Sequence, residues 1–429
     1  MKLIRTFGRS RQSAAELIAT LEVRGGAALD TVMPAVSRIV SSVRNQGDRA
    51  LLRYGREFDG LPGAESLRVT REEMAEAWER IEPALRTALS TAAEQIRSFA
   101  EKQMPQSWTE TSADGLTRGQ VVRPIGAVGC YVPSGRHPLP STLLMTAIPA
   151  QVAGVPRVVA ISPRPAVEAL AAAHLLGISE FYRIGGAHGI AALAYGTASI
   201  PRVEKIVGPG NLYVTAAKRT VAFDCAIDML AGPTEIVVTS EKGRPAEIAS
   251  DLVAQAEHDP EALAIFITSR EELARTVMTE VKDRARSNPV AKESLQRNGV
   301  VLLTATPAEA RDLTNRIAPE HLTVDSFADL SWVQSAGSVF VGRWSAQPMG
   351  DYISGPNHTL PTGGMARVRG GLSVNDFVKL ITVQEYTSAS MRELGPEAFL
   401  LARAEGLVGH AEAILVRLSK PRKSRSSNG

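Results

Sequence analysis

The sequence predicts an α/β protein with two parallel-sheet modules in tandem, each sheet covered by helices on both faces, and with helical segments at the two chain ends. From residue 125 onward, short runs rich in β-branched residues alternate with Ala-rich helical patterns. That alternation is typical of βαβ units, whose strands are buried on both faces and form continuous apolar runs. The series occurs twice in 429 residues, which favours two modules over one large sheet.

The elements are predicted in chain order from this pattern. The first hundred residues predict amphipathic helices at residues 14–21, 30–58 and 71–104, with a Gly-Leu-Pro-Gly break at residues 60–63. Predicted strands of the first series are residues 127–132, 158–161, 181–184 and 205–207. Those of the second series are residues 235–238, 264–267, 300–303 and 339–341, separated by helices such as 245–257 and 270–286. Strands are expected to cease after Gly371, and residues 374–418 predict helix.

Composition and charge exclude several classes of protein. Apolar residues make up 44% and charged residues 22% of the chain, as in an ordinary globular protein. The net charge of +3 includes four cations in a tail from about residue 419, and taking these away leaves −1. The tail therefore predicts a disordered, solubilising end, with no nucleic-acid partner. Two cysteines, no signal-peptide core and no apolar run long enough for a bilayer predict a cytoplasmic protein without a membrane partner.

Four short polar patches contain four of the seven histidines, each close to a carboxylate or an amide. Groups of these types suit both a divalent metal ion and a proton-transfer step. The patches are far apart in the chain, so only the fold could bring them together. They are Gln255 with His258, Glu320 with His321, Asp351 with His358, and Glu405 with His410.

The first two patches also have purely structural interpretations. Gln255 and His258 lie three residues apart on a predicted helix, where they could present two metal ligands on one face. Alternatively, His258 caps the last carbonyls of that helix. Glu320 and His321 follow a proline and are predicted to open a helix or turn, either as separate proton acceptors or as an ordinary helix start.

The other two patches are equally open when each is taken alone. Asp351 begins a Gly/Pro-rich loop that contains His358, and such loops are either functional or plain turns. Glu405 and His410 are five residues apart, so one regular helical face would not hold both. Gly406 could break the helix and let both side chains point the same way, or the two could be unrelated surface residues.

Glycine-rich turns follow three predicted strands, at residues 126–135, 185–187 and 208–211. Backbone amides and a following helix N-terminus could receive a phosphate there. None of the turns contains G-x-G-x-x-G, and tight strand-to-helix turns need glycine anyway. The turns are compatible with a nucleotide site and do not establish one.

Taken in order, these patches and turns resemble the histidinol dehydrogenase family, zinc enzymes that complete histidine biosynthesis. The resemblance covers nearly the whole chain. Its motifs include residues 185–187 (GGA), 207–211 (VGPGN), 231–235 (AGPTE), 255–258 (QAEH), 318–321 (APEH), 355–358 (GPNH) and 404–407 (AEGL) with His410.

The resemblance implies two successive NAD-linked oxidations of L-histidinol to L-histidine through a bound aldehyde. His321 would take the alcohol proton, and Glu320 would activate water for the second oxidation. One zinc ion per subunit would orient the substrate. The implied zinc ligands are Gln255, His258, Asp351 and His410. The implied substrate contacts are these four ligands together with Thr234, His321 and Glu405. The implied NAD contacts are Tyr131, His188 and Asn211. His358 would support the loop near Asp351.

The resemblance also implies two incomplete, doubly wound Rossmann-like domains with helical arms at both ends. The implied divisions are an N-terminal arm (1–26), a first domain with the metal and substrate site (27–125 and 234–372), a second domain on the NAD side (126–233) and a C-terminal arm (373–429). The protein would be a homodimer whose C-terminal arm completes the partner's site. Glu405 and His410 would then act in the other subunit.

Four positions depart from the usual family pattern. His188 stands where glutamine is usual, and Gly189 stands where alanine is common. Ser134 replaces a glycine near the implied cofactor edge, and Thr234 stands in place of serine and keeps the hydroxyl group. None of these departures removes a metal ligand or an acid–base residue.

Three other functions fit parts of the same pattern. A related zinc and NAD dehydrogenase would oxidise another polar primary alcohol, such as a sulfonated diol. A zinc hydrolase would hold water on the same ligands, with Glu320 as the base. A metabolite sensor would bind histidinol without turning it over.

Overall fold

The computed structural model describes residues 1–25, 29–134 and 138–418 of the chain. The described residues form two compact units. The first comprises residues 1–104 and 125–377, and the second comprises residues 105–124 and 378–418. The predicted tail from about residue 419 lies outside the described residues.

Strands and helices alternate along most of the chain. The strands are β1 (Lys2–Arg5), β2 (Arg68–Val69), β3 (Trp108–Thr111), β4 (Thr117–Pro124), β5 (Ala127–Tyr131), β6 (Arg157–Ile161), β7 (Glu180–Tyr182), β8 (Lys205–Val207), β9 (Ala226–Ile227), β10 (Glu235–Thr239), β11 (Leu263–Thr268), β12 (Val300–Leu303), β13 (His321–Val324), β14 (Ser338–Val341) and β15 (Val378–Glu385).

The α-helices are α1 (Arg11–Glu22), α2 (Leu29–Gln46), α3 (Asp48–Tyr54), α4 (Arg71–Arg80), α5 (Pro83–Lys102), α6 (Pro140–Val152), α7 (Val167–Leu175), α8 (Gly186–Tyr195), α9 (Leu212–Val221), α10 (Pro245–Ala256), α11 (Glu271–Arg284), α12 (Pro289–Arg297), α13 (Pro307–Ile317), α14 (Gln347–Tyr352), α15 (Ser388–Ala404) and α16 (Val408–Leu418). A π-helical turn follows α3 (Gly55–Asp59), and short 3-10 helices lie at Gly8–Ser10, Ala64–Ser66, Ala285–Ser287, Phe327–Ser331, Met365–Arg367 and Val374–Phe377.

Six parallel strands form one sheet of the first unit, in the order β1-β12-β11-β10-β13-β14. Ile236 and Val238 of β10 pack against α10, α11 and α12, whereas Val237 packs on the opposite face with α1 and α13. Because both faces are covered, β10 to β12 each contain an apolar run of three to five residues. The prediction of a parallel sheet buried on both faces is confirmed.

A second six-stranded sheet of the same unit has the order β2-β7-β6-β5-β8-β9. All its neighbouring strands are parallel except β2, which is antiparallel to β7. Helices α2, α8 and α9 cover one face, and α6 contacts β5 and β6. Two α/β sheets in tandem, as predicted from the alternating pattern, are therefore present.

The N-terminal hundred residues differ from the all-helical prediction in two ways, by two short strands and by the division of two helices. β1 and β2 are edge strands of the two sheets. Each is too short to show a hydrophobic period, and each is stabilised by pairing with a strand far along the chain. The predicted helix 30–58 is divided at Gly47, where φ is +55°, and the predicted helix 71–104 is divided before Pro83.

The second unit contains an antiparallel sheet in the order β15-β4-β3 and two helices, α15 and α16, that pack against each other. The prediction that strands cease after Gly371 is wrong. Residues 378–385 pair with β4 along their whole length, from Val378 opposite Pro124 to Glu385 opposite Thr117. That pairing with a distant strand outweighs the local helical pattern. Within the described residues, no helix is long and apolar enough to cross a membrane.

Candidate active site

Two neighbouring strands bring the candidate acid–base residues together. β10 and β13 are parallel, with Ile236 opposite His321, so their amino ends lie at the same edge of the sheet. Glu320 comes directly before β13, and its Oε2 accepts hydrogen bonds from Thr234 Oγ1 (2.6 Å) and Glu235 N (2.7 Å). The predicted helix or turn at Glu320–His321 is wrong, because His321 begins a strand that pairs on both sides.

The imidazole of His321 is oriented by a backbone group. His321 is 3% exposed, and its Nδ1 lies 3.0 Å from the carbonyl oxygen of Glu235. A carbonyl oxygen only accepts, so Nδ1 carries the hydrogen and the neutral ring presents a lone pair at Nε2. Nε2 has no hydrogen-bond partner among the residues that the structure describes. A general base requires an unoccupied lone pair of this kind.

Asp351, on α14, faces the same imidazole ring. Its Oδ1 lies 3.8 Å from His321 Nε2, a contact that is electrostatic because it is too long for a hydrogen bond. Gln347 donates to Asp351 Oδ2 at 2.9 Å, and His358 Nδ1 donates to the Asp351 carbonyl oxygen at 2.9 Å. A cavity of about 340 Å³ opens beside His321, Asp351, Asn357 and His358. Asp351 and His358, which form one polar patch in the sequence, therefore lie beside His321 of another.

The neighbouring carboxylates change the acidity of His321. Burial lowers the pKa of His321, but the negative charges of Glu320 and Asp351 outweigh this and raise that pKa to about 10. Burial raises the pKa of Asp351, and the contact with His321 reverses that effect and leaves the pKa below its ordinary value. A cation bound by Asp351 would oppose the proton on the ring and favour neutral imidazole.

Gln255 joins the first polar patch to this cluster. It lies in the last turn of α10, is fully buried, and donates from Nε2 to Thr234 Oγ1. Its Oε1 is buried without a hydrogen-bond partner among the described residues. An unpaired buried amide oxygen is costly in an apolar interior and suits a cation.

His258 lies just beyond the end of α10 and is exposed. Its backbone N–H is 3.4 Å from the Gln255 carbonyl oxygen, which agrees with the predicted position near a helix end. In residues 1–25, 29–134 and 138–418, no three His, Cys, Asp or Glu side chains are close enough to hold a metal ion. A metal here would therefore need the amide oxygen of Gln255 beside the carboxylate of Asp351.

Glu405 and His410 belong to the second unit. Glu405 follows the last residue of α15, Gly406 has a φ of +75°, and His410 lies in the first turn of α16. The predicted helix break at Gly406 is therefore confirmed. Both side chains are exposed.

The candidate cofactor residues lie at or beyond the carboxyl ends of strands in the second sheet: Tyr131, His188 and Asn211. Tyr131 ends β5, and Asn211 follows β8 and caps α9 by accepting from Tyr213 N and Val214 N at 3.1 Å each. The chain passes from β7 to β8 across β6 and β5, so the strand order reverses between β5 and β8. Ligands of doubly wound sheets bind at such a reversal, outside the carboxyl ends of the strands.

His188, the departure from the usual glutamine, is held by a buried carboxylate. It lies in the first turn of α8, is 1% exposed, and its Nε2 is 2.8 Å from Asp59 Oδ2. The same Asp59 oxygen accepts from Gly185 N at 2.9 Å. Tyr54 and Phe58 approach the imidazole with ring centroids 6.0 and 5.9 Å away. Asp59 therefore fixes both the glycine turn and the ring.

A larger cavity, of about 610 Å³, lies at the carboxyl ends of β10 and β13, whereas the cluster around His321 lies at their amino ends. The backbone N–H groups of Glu241 and Lys242 in this cavity already donate to the carboxylate of Asp325, which also accepts from Ser240 Oγ. Glu241 in turn accepts from Ser269 N and Ser269 Oγ. This cavity is separate from the cluster around His321.

Two residues that build these sites, Gln347 and Asp59, were not among the predicted site residues. Gln347 lies four residues before Asp351 on α14, and that spacing on a helix could have predicted their contact. No local sequence pattern could have predicted the role of Asp59, because its partners His188 and Gly185 lie more than a hundred residues away along the chain. Only the packing of α3 and its π-helical extension near α8 places it there.

Comparison with known proteins gives consistent similarities over most of the chain. The family model described as histidinol dehydrogenase matches residues 23–418. A histidinol dehydrogenase of Geobacillus kaustophilus (strain HTA426) is 45% identical over 419 residues, which cover 93% of this chain and 98% of that protein. One of Methanothermobacter thermautotrophicus is 45% identical over 415 residues, covering 94% and 97%.

A solved structure is also similar. The crystal structure of histidinol dehydrogenase from Elizabethkingia anophelis has a TM-score of 0.91 and 33% identity. The match covers 97% of this chain and 98% of that one. The tandem sheets described above are therefore the architecture of that protein as well.

Proposed function

The chain belongs to the histidinol dehydrogenase family of oxidoreductases, and from that membership we propose that it is a zinc-dependent enzyme that oxidises L-histidinol to L-histidine. Two successive NAD-linked oxidations pass through an aldehyde that stays bound, and together they complete histidine biosynthesis. The observation that carries this proposal is the buried pair Glu320 and His321, with His321 Nε2 left unpartnered within the described part of the chain. NAD, when bound, accepts the hydride of each oxidation.

In the first oxidation, His321 Nε2 takes the proton of the substrate hydroxyl group as hydride leaves its carbon. The Nδ1–H donated to the Glu235 carbonyl keeps Nε2 as the accepting atom. The resulting imidazolium is stabilised by the carboxylate of Glu320, 3.5 Å from Nδ1. A base positioned in this way contributes about 10²–10⁴-fold to the rate.

In the second oxidation, Glu320 takes a proton from the water that adds to the bound aldehyde. Thr234 Oγ1 and Glu235 N both donate to Oε2, and they hold the carboxylate in one orientation. We assign the proton transfer to Oε1. Hydride then leaves the hydrated carbon, and the acid is formed.

Gln255, His258 and Asp351 would hold zinc, together with His410 from a partner subunit. Zinc, when bound, orients the imidazole and amino groups of the substrate. The unpartnered Gln255 Oε1 supports this assignment, because a buried amide oxygen without a donor fits a cation. Gln347 would act behind Asp351 by holding Oδ2.

We propose a homodimer in which the second unit completes the partner's site with Glu405 and His410. The support is a set of exposed apolar side chains in that unit, such as Leu380 at 52%, Leu400 at 65% and Leu401 at 66% exposure. Apolar surface of this kind marks an interface. Tyr131, His188 and Asn211 would contact NAD.

We also propose a cytoplasmic location for the enzyme. Cys130 and Cys225 are both buried and free, which suits a reducing compartment. Burial raises the pKa of Cys130 to about 12, so its thiol is held in the unreactive protonated form.

Purified protein supplied with zinc and NAD is expected to form two NADH for each L-histidinol consumed, because the aldehyde does not leave the site. The measurement is NADH absorbance against histidine formed. A sulfonated diol is the matched alternative substrate. Faster oxidation of that diol than of L-histidinol would show that the enzyme's substrate is another alcohol. A zinc hydrolase would show no rise in melting temperature with NAD, and a sensor would bind histidinol without turnover.

The partner arm can be tested with a heterodimer of one His321→Asn subunit and one His410→Asn subunit, purified through two different tags. If His410 acts in the partner's site, one of its two sites combines an intact His321 with an intact His410. Activity is then expected at about half that of the wild-type dimer. If both residues act within one subunit, neither site is intact, and activity no higher than that of the two homodimeric variants contradicts the arm exchange.

A further inference from the structure

Arg24, two residues beyond α1, is a part-buried cation with every donor engaged. Its Nε and Nη2 donate to the two carboxylate oxygens of Glu235 at 2.7 and 2.6 Å. Its Nη1 donates to the Leu21 and Ile317 carbonyls, and Nη2 donates also to the Ala318 carbonyl. The Arg24 side chain is 13% exposed and that of Glu235 is 5% exposed. A guanidinium group matches a carboxylate in this two-pronged geometry, and lysine does not.

Glu235 is the residue whose backbone orients both acid–base groups. Its N–H donates to Glu320 Oε2 at 2.7 Å, and its carbonyl accepts from His321 Nδ1 at 3.0 Å. Its carboxylate, on the other side, accepts from Arg24 and from Gly363 N at 2.9 Å. A shift of the Glu235 backbone would therefore move the Glu320 carboxylate and the His321 ring together.

Arg24 also caps the turn that delivers Glu320 and His321 to β13. Ala318 directly follows α13 as its C-cap with a φ of +51°, and it is the one non-glycine residue with positive φ in the described parts of the chain. Side chains with a Cβ adopt this conformation only when their surroundings hold it. The hydrogen bonds from Arg24 to the Ile317 and Ala318 carbonyls provide that support directly before Pro319.

The charge of Glu235 depends on this contact. Burial raises the pKa of Glu235, and the nearby Glu320 carboxylate adds to the rise, whereas Arg24 and Gly363 N–H oppose it. Without Arg24, the buried carboxylate would take up a proton rather than stay charged. Replacing Arg24 would remove at once the two-pronged contact with Glu235 and the hydrogen bonds to the Ile317 and Ala318 carbonyls.

We propose that Arg24 and Glu235 are positioning residues for catalysis, through which the N-terminal arm holds Glu320 and His321 in their reactive orientation. This inference rests on the proposed oxidation of histidinol for its kinetic test. Arg24 lies outside the cavity at His321 and touches neither acid–base side chain. Its effect is therefore expected in the rate of the chemical steps and not in substrate or NAD affinity.

Arg24→Met is expected to lower kcat for both oxidations by about 10²-fold, within the range for loss of a correctly placed base, while KM for histidinol and NAD changes less than about threefold. Arg24→Lys keeps the charge without the two-pronged contact, and its kcat is expected to lie between those of Arg24→Met and wild type. Arg24→Ala is expected to regain rate with added guanidinium ion and not with methylammonium of the same charge.

Arg316→Met is the matched control. Arg316 Nε pairs with Glu22 at 2.6 Å, so it also joins the end of α1 to α13, but its pair is more exposed and does not include Glu235. Its kcat is expected to stay close to wild type. Equal losses in the Arg316 and Arg24 variants, or unchanged kcat in folded Arg24→Lys and Arg24→Met, would overturn the positioning role.

A crystal structure of Arg24→Lys separates this inference from the proposed function. We expect the Glu320 carboxylate to leave Glu235 N and Ala318 to relax from its positive φ. If wild-type protein fails to oxidise histidinol, the proposed function fails, and the crystal structure still decides the positioning role. Retention of the Glu320–Glu235 and His321–Glu235 contacts in that crystal would overturn it.

Discussion

Substitution of His321 by asparagine is expected to lower kcat for the oxidation of L-histidinol by about 10²–10⁴-fold, the usual contribution of a general base. Asparagine can still donate to the Glu235 carbonyl from the position of Nδ1, so the local backbone contact can be kept. It has no basic nitrogen where Nε2 stood, so the hydroxyl proton has no acceptor. The measurement is NADH formation from L-histidinol at saturating NAD, with KM determined in parallel.

His174→Asn is the control for this variant. His174 is an exposed histidine on α7 that packs near Trp78, away from the cluster around His321. Its kcat is expected to equal that of wild type. A His321→Asn enzyme that keeps its rate on histidinol would show that another group takes the alcohol proton.

Substitution of Glu320 by glutamine is expected to lower oxidation of the aldehyde by about 10²–10⁴-fold while the alcohol step loses much less. The amide oxygen can still accept from Thr234 Oγ1 and Glu235 N, so the side chain stays in place. It cannot take a proton from water at neutral pH. In a single turnover from histidinol, the first NADH should form and the bound aldehyde should accumulate.

The aldehyde step is measured directly by supplying histidinal with NAD. Glu241→Gln is the matched control, because Glu241 also accepts from a backbone N–H and from hydroxyl groups, beyond the carboxyl end of β10 in the same sheet. Its rates are expected to be unchanged. Equal loss of both oxidations in Glu320→Gln would show that the assigned division between His321 and Glu320 is wrong.

The central strands of both sheets were predictable because their signal is local. β10, β11 and β12 are buried on both faces, so each contains an apolar run, at residues 236–238, 263–267 and 300–303. β1, β2 and β15 lacked that signal. The first two are short edge strands, and β15 is exposed along most of its length, so only pairing with a distant strand defines each of them.

β13 was missed for a different reason. Its four residues begin with His321 and follow Pro319 and Glu320, a sequence that is typical of a helix start. Pairing with β10 on one side and β14 on the other overrides that preference. The same pairing places His321 beside Glu235, so the misassigned element is also the one that builds the acid–base pair.

The sequence by itself determined the two sheets, the family and the residue types available for chemistry, because strand patterns and motif order can be recognised along the chain. Only the tertiary structure decided that His321 donates from Nδ1, that Gln255 Oε1 is left unpartnered among the described residues, and that Arg24 reaches Glu235 across 211 positions. Hydrogen bonds are directional and short-ranged. Which groups meet therefore depends on the packing of distant segments, and no local pattern contains that information.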